Sequence, residues 1–354
     1  MLERLGRSIE RARGDLLRSV AAAPLVGPVV RRRELRIAAR AVVAIALAFL
    51  LATLVPAATL AISPIVLGVP HVASSIRYLV VRQTLPRGWV VLLAAGAAAI
   101  GVLRICEQYG PDPHAMARGE VAIGCGLAIA AACFAGARAD TRPRLVLVLP
   151  LLLALGGLLV LHPIAARLAF VHVHNLGAVA IWALVMQRGR ARLPALLLLG
   201  ALALLVAAPI TPWQARALGV DVESVGRWLV PGAAAAVSVR LVLAHVFTDS
   251  VHYAFWLGII PEETLRSEGT LTFAMTWRAL RRDFGAAGLG LVCALTGTFL
   301  VLGALGLTRA RNVYFAVAGF HGYVEGAMLV YLLVVRGDET GQGCARPCAI
   351  EHRS

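Results

Sequence analysis

Nine histidines are spread along the chain, and six of them, His71, His172, His174, His245, His252 and His321, fall inside long apolar runs. Asp249, Glu325 and Arg240 lie in such runs too. Ionisable groups in hydrocarbon are costly, so each of these positions is a candidate for function. Spacing sharpens the set. His245, Asp249 and His252 stand at i, i+4 and i+7, which places them on one helix face, and His321 and Glu325 stand at i, i+4. Neutral imidazole combined with carboxylate suits a transition metal: iron first, with zinc or copper also compatible. The six histidines are therefore read as candidate metal ligands. Asp249 is read as a further ligand or as the acceptor that fixes a histidine tautomer, and Glu325 as a proton acceptor or part of a second metal position. These two are the candidate catalytic carboxylates.

Geometry limits how the ligands combine. His172 and His174 are about 200° apart on a regular helix, so both reach one site only where the helix unwinds. Counted from the outer ends of their spans, His71, His174, His245 and Glu325 come within about one or two turns of a common level. His252 and Asp249 fall deeper, and His172 and His321 nearer the outside. Arg240 is expected to pair with Glu325, to hold a substrate carboxylate, or to snorkel to the headgroups. The plain alternative for a lone buried histidine such as His172 or His252 is a hydrogen bond across helices. His114, His162 and His352 fall at loops or span ends and read as surface residues.

The elements that must position these groups are membrane helices. Of 354 residues, 59% are hydrophobic and only 15% charged, with a mean hydropathy of +0.80. A soluble domain carries about 25% charged residues. That composition excludes a soluble domain, a disordered chain and a small disulfide scaffold. A spanning helix needs about 20 apolar residues. Ten runs qualify: 38–57, 59–81, 88–105, 120–137, 145–162, 165–187, 195–211, 230–260, 285–308 and 313–335. The predicted fold is an all-α, polytopic transmembrane helix bundle, with tight hairpins at Pro56 and Pro163.

All 34 basic residues are arginine and the formal charge is +15. The arginines concentrate in the N-terminal segment and in alternate loops, as the positive-inside rule requires if both termini are cytoplasmic and the number of spans is even. Anionic lipid headgroups, not nucleic acid, are the partners this charge implies. The chain divides into a basic amphipathic lead-in (1–36), the helix bundle (37–336) and a cytoplasmic tail (337–354). The lead-in, with Leu2, Leu5, Ile9, Leu16 and Val20 on one side, is predicted to lie on the inner leaflet, and residues 261–284 look similar. The first apolar run starts too far from the N-terminus for a signal peptide. An inner-membrane, multi-pass location follows.

Several chemistries lack their signatures. There is no phosphate-binding G-x-x-x-x-G-K-[ST] loop, no G-x-S-x-G elbow, no H-E-x-x-H and no C-x-x-C-H. Cys125, Cys133 and Cys293 sit in apolar runs as small hydrophobes, and the C-x3-C of Cys344 and Cys348 does not define a zinc site.

The segment Gly68-Val69-Pro70-His71-Val72-Ala73 resembles the Pro-His segment of the Brp/Blh-type membrane β-carotene cleavage dioxygenases. The stretch from His162-Pro163 through Phe170-Val171-His172-Val173-His174-Asn175 is similar to another histidine-bearing region of that family. The resemblance covers these two segments and the general layout. It implies non-haem iron held by His71, by His172 or His174, and by His245 with His252, and cleavage of a carotenoid with dioxygen. The family pattern continues after Pro-His with Gly-Ala and then an acidic residue, whereas here Val72-Ala73 are followed by Ser74-Ser75, and the His321/Glu325 pair has no family counterpart. The function expected is thus an iron oxygenase acting on an apolar lipid or carotenoid-like substrate. A haem- or quinone-binding redox protein and a transporter with a His/carboxylate relay are the alternatives.

Overall fold

Alanine faces inward and leucine outward along the first long helix. In Arg33–Leu54 the buried stripe is Ile37, Ala41, Ile45, Ala48 and Ala52, whereas Val43, Leu47, Leu50, Leu51 and Leu54 are exposed. Small residues at helix contacts and large aliphatic ones outside is the pattern of helices solvated by lipid. Arg142–Leu161 carries it further: Leu147, Leu151 and Leu161 are each about 70% exposed, and few of its residues are buried.

The computed structural model describes residues 27–109, 112–137, 142–186, 192–264 and 272–336, with isolated positions among the first 26. The amphipathic positions of the lead-in, residues 265–271, the tail 337–354, Cys344, Cys348 and His352 lie outside the described residues. The helices in chain order are α1 (Gly27–Arg31), α2 (Arg33–Leu54), α3 (Pro56–Val66), α4 (Gly68–Ile76), α5 (Arg87–Tyr109), α6 (Pro113–Gly136), α7 (Arg142–Leu161), α8 (Pro163–Val173), α9 (Gly177–Ala180), α10 (Arg192–Ala207), α11 (Val222–Leu229), α12 (Ala235–Ala254), α13 (Ile260–Glu263), α14 (Phe273–Ala318) and α15 (Phe320–Arg336). A 3-10 turn, His174–Leu176, joins α8 to α9, and π-helical turns follow α4, α9 and α12 at Arg77–Val81, Ile181–Met186 and Phe255–Ile259.

All-α is therefore the class. Among the described residues, six helical stretches are long and apolar enough to cross a membrane, or seven if the pair Pro56–Val66 and Gly68–Val81, bent by 55°, is one span. Three features separate this from the ten expected spans. α10 has only 16 residues. α12 is diluted by Arg240, His245, Asp249 and His252. The last two expected spans form one helical run, Phe273–Val335, interrupted at Gly285 (φ 69°) and by extended backbone at Gly306. The hairpins at Pro56 and Pro163 form as expected, each proline opening a helix where its missing N–H costs nothing.

Two compact units divide the chain. The first comprises residues 1–74 and 178–311. In it α2 packs on α10 and α12, and α3 and α11 also pack on α12. An ion cluster ties α2 to α13: buried Glu262 meets Arg36 Nε at 2.5 Å and also Arg40, while Glu263 pairs with Arg33 and accepts from Trp182 Nε1 at 3.2 Å. Burial pushes the Glu263 carboxyl above its ordinary value against the Trp182 bond and the Arg33 charge. A ribbon of two-residue strands, β1 (Arg216–Ala217) and β2 (Val220–Asp221), turns through Leu218 and Gly219, both at positive φ as a type I′ turn needs. Asp221 then caps α11, accepting from the Ser224 N–H at 3.1 Å and the Ser224 hydroxyl at 2.7 Å.

The second unit comprises residues 75–177 and 312–354. Here α6 is the central helix, packed on α5, α7, α8 and α15. Gly124 on α6 lies so close beneath Tyr323 of α15 that a β-carbon would fall 2.1 Å from the ring, which requires glycine there.

Two outcomes test these contacts. Glu262→Ala removes the carboxylate that the buried Arg36 pairs with and is expected to cost about 3–5 kcal/mol in thermal unfolding in detergent, whereas Arg40→Ala, whose side chain is half exposed, costs about 1 kcal/mol or less. The Ser224 hydroxyl bond, with Arg216, holds the Asp221 carboxyl below its ordinary 3.8. Its contribution is complete above that value and lost as pH falls through the lowered one. The Trp228 emission of α11 should therefore change only below about pH 3.8, and the change should be absent in Asp221→Asn.

Candidate functional site

The backbone breaks at Leu67, between α3 and α4, and the break sets His71. Pro70 occupies the first turn of α4, where no N–H is needed. His71 then donates twice to the Leu67 carbonyl, through its backbone N–H at 2.9 Å and through ring Nδ1 at 3.2 Å. A carbonyl only accepts, so Nδ1 carries the proton and Nε2 is the nitrogen with the lone pair.

In the first unit His71 meets His252. Both are buried to 1% exposure, their rings stand edge to face with centroids 5.3 Å apart, and each presents a ligand nitrogen within 4.8 Å of the other's. That spacing is close to the span across one metal ion at about 2.1 Å per bond. Tyr253 lies against His71, ring centroids 4.5 Å apart. Asp249, one turn back on α12, accepts hydrogen bonds from Tyr253 and from the Ser63 hydroxyl at 3.5 Å. It therefore holds the phenol that packs on His71. His245 is buried on the same helix, and its carbonyl accepts from the Thr248 hydroxyl at 3.1 Å.

In the second unit His174 meets His321, with ring centroids 5.4 Å apart and planes nearly perpendicular. The same tautomer logic applies: Nδ1 of His174 donates to the Phe170 carbonyl at 3.1 Å and Nδ1 of His321 to the Ala318 carbonyl at 2.5 Å. The α-helix gives way to a 3-10 turn at His174. His172, half-buried, stays within α8. Glu325 is buried one turn beyond His321, and a β-carbon on Gly177 would lie 3.6 Å from its Oε2. Gly322 packs so closely on Phe170 and His174 that a β-carbon would meet them at 2.9 and 3.3 Å, Gly319 faces Arg104, and Gly326 faces open space.

The pairs are thus His71 with His252 and His174 with His321. Level counting placed His252 deeper than His71, because it assumes straight spans and the chain bends at Leu67.

One group in the second unit escaped the sequence. Glu120, 1% exposed, pairs with Arg104 Nη2 at 2.6 Å and Arg167 Nε at 3.2 Å and accepts from the Tyr323 hydroxyl at 3.0 Å. Arg167 also grips Glu107 through two bonds of 2.7 and 2.9 Å. Tyr323 stacks on Phe170 at 4.4 Å, and Phe170 on His174 at 5.7 Å. The carboxylate therefore holds a column of rings that ends at a candidate ligand. The sequence signal was available: two glutamates and two arginines at the ends of adjacent apolar runs.

No protein-family model matches the chain, and neither a curated protein nor a solved structure matches it. What the fold and site define is a helical membrane protein with paired, buried imidazoles whose geometry can hold a metal ion.

Tyr323→Phe deletes one hydrogen bond to a charged acceptor and should cost about 1.5–3 kcal/mol. Glu120→Ala strands Arg104 and takes from Arg167 one of its two carboxylates, and should cost more, about 3–5 kcal/mol. Thermal unfolding of both variants in one detergent checks the order.

Proposed function

We propose that the protein is a multi-pass inner-membrane metalloprotein, an iron oxygenase acting on an apolar lipid or carotenoid-like substrate, with ten spans and both termini cytoplasmic. The observation that carries the reading is the buried His71/His252 pair, with two ligand nitrogens within 4.8 Å and the Nδ1 proton of His71 committed to a backbone carbonyl. His71 and His252 are the first two ligands, and the resemblance to the Brp/Blh-type family adds His245 from the same unit. The donor set fits the metal: neutral imidazoles bind iron, zinc and copper alike. A bound iron supplies the chemistry that activates dioxygen.

The chain's own residues do the rest. Asp249 fixes Tyr253 against His71 and so limits the swing of that ring. Glu325, beside His321, serves as a proton acceptor or belongs to a second His/carboxylate position in the second unit. The large aliphatic side chains on the outer helix faces let an apolar substrate approach from the bilayer, and the packed alanines beneath them exclude water.

Elemental analysis and a visible spectrum of detergent-purified protein, prepared without chelators, test this. Near one equivalent of iron is expected in the wild type and less than about a tenth of it in His71→Ala/His252→Ala. Tyr253→Phe should keep the fold but weaken metal affinity by about ten- to a hundredfold, the effect of losing an orienting partner. Metal-free wild-type protein sinks the ligand assignment. A Soret band moves the reading to a haem protein.

A further inference from the structure

Between α10 and α12 the chain leaves the apolar stretch and builds a pocket of about 400 Å³ within the first unit. Four charged residues line it, Arg216, Asp221, Glu223 and Arg240, and most of the remaining wall is apolar or neutral, with Ile210 and Val239 among it. The charges do not balance. Asp221 is taken up by Arg216, 3.1 Å away, and by the α11 cap. Glu223 is taken up by Arg227 at 2.9 Å. Arg240 is half-buried on the wall, and among the described residues no hydrogen bond or ion pair reaches its guanidinium. The pocket therefore presents one uncompensated positive charge on a largely apolar wall.

Its surroundings indicate what balances that charge. Ala235 and Ala236, the first turn of α12, also line the pocket, and Ala234 before them supplies no side-chain cap. Their amide dipoles add to the positive field. Trp213 and Trp228, on the same connecting segment, are 84% and 62% exposed. Exposed tryptophan beside apolar helices marks the level where lipid headgroups meet water. Leu196, Leu199 and Leu204 project from α10, which packs on α12.

We propose that this pocket binds the acidic head of an amphiphile, a phosphodiester or a carboxylate, at the Arg240 guanidinium. The amphiphile's chain leaves along the aliphatic face of α10. The site takes one negative charge, because both acids on its wall already have cations. An arginine that merely snorkels meets anionic headgroups in passing, whereas a built pocket retains one lipid through detergent exchange.

The test measures lipid retained per chain. Wild-type protein, Arg240→Gln, Arg240→Lys and, as a control, Arg192→Gln at the exposed start of α10 are purified from mixed phosphatidylglycerol and phosphatidylcholine vesicles into neutral detergent. Bound lipid is counted by native mass spectrometry, and helix content by circular dichroism establishes that each variant is folded. The expected result is about one anionic lipid on wild type and on Arg192→Gln, with retention weakened by about ten- to a hundredfold in Arg240→Gln, the loss of one charge-assisted contact. Arg240→Lys keeps part of the binding. Separate titrations of delipidated protein with phosphatidylglycerol, oleate and inorganic phosphate distinguish the sources. Tighter binding of either amphiphile than of inorganic phosphate supports the proposal. Equal binding of inorganic phosphate overturns it, as does retention that does not depend on Arg240 or a preference for phosphatidylcholine.

Discussion

A carboxylate taken into an apolar helix bundle is costly, and at Glu262 and Glu120 cations in hydrogen-bond reach offset that cost, a constraint that organises both units. In the first unit Glu262 must sit against Arg36 and Arg40, so the turn after α12 is pinned to α2. That pin fixes the end of the helix carrying His245, Asp249 and His252. In the second unit Glu120 draws Arg104 from α5, Arg167 from α8 and Tyr323 from α15 onto α6. α8 leads into His174 and α15 carries His321, so their meeting depends on an ion cluster that touches neither ring.

Departures from α geometry cluster beside the histidines. His71 follows the break at Leu67, His174 opens a 3-10 turn, and His252 stands three residues before a π turn. Such turns widen or narrow the helix by one hydrogen-bond register and re-aim the side chains around them, and they recur at functional sites. In three of the four paired histidines the ring Nδ1 is tied to the carbonyl three or four residues back. Each of those rings is thereby oriented by its own backbone.

Much of this was legible in the residues. Apolar runs gave the helical membrane class, and proline placed both hairpins. Spacing also put His252 and Asp249 on one face of α12. It did not show that Asp249 binds Ser63 and Tyr253, because those partners are a long-range and a local contact that pattern cannot rank. Nor did it show the Glu120 cluster, since Arg104 and Arg167 read as loop charges under the positive-inside rule. Counting depth along straight spans failed at His71 and His252 because a single irregular residue, Leu67, bends the chain by 55°. The span count diverged where polar residues dilute α12 and where α14 continues through its glycines.

The complete use of arginine in place of lysine has an electrical consequence. A guanidinium keeps its proton even where burial would strip an ammonium, so the cation in each ion cluster does not switch off at any physiological pH. Imidazole is the one side chain that ordinarily changes charge between pH 5 and 8. In that interval the arginines act as a constant background field against which any change of imidazole charge is felt.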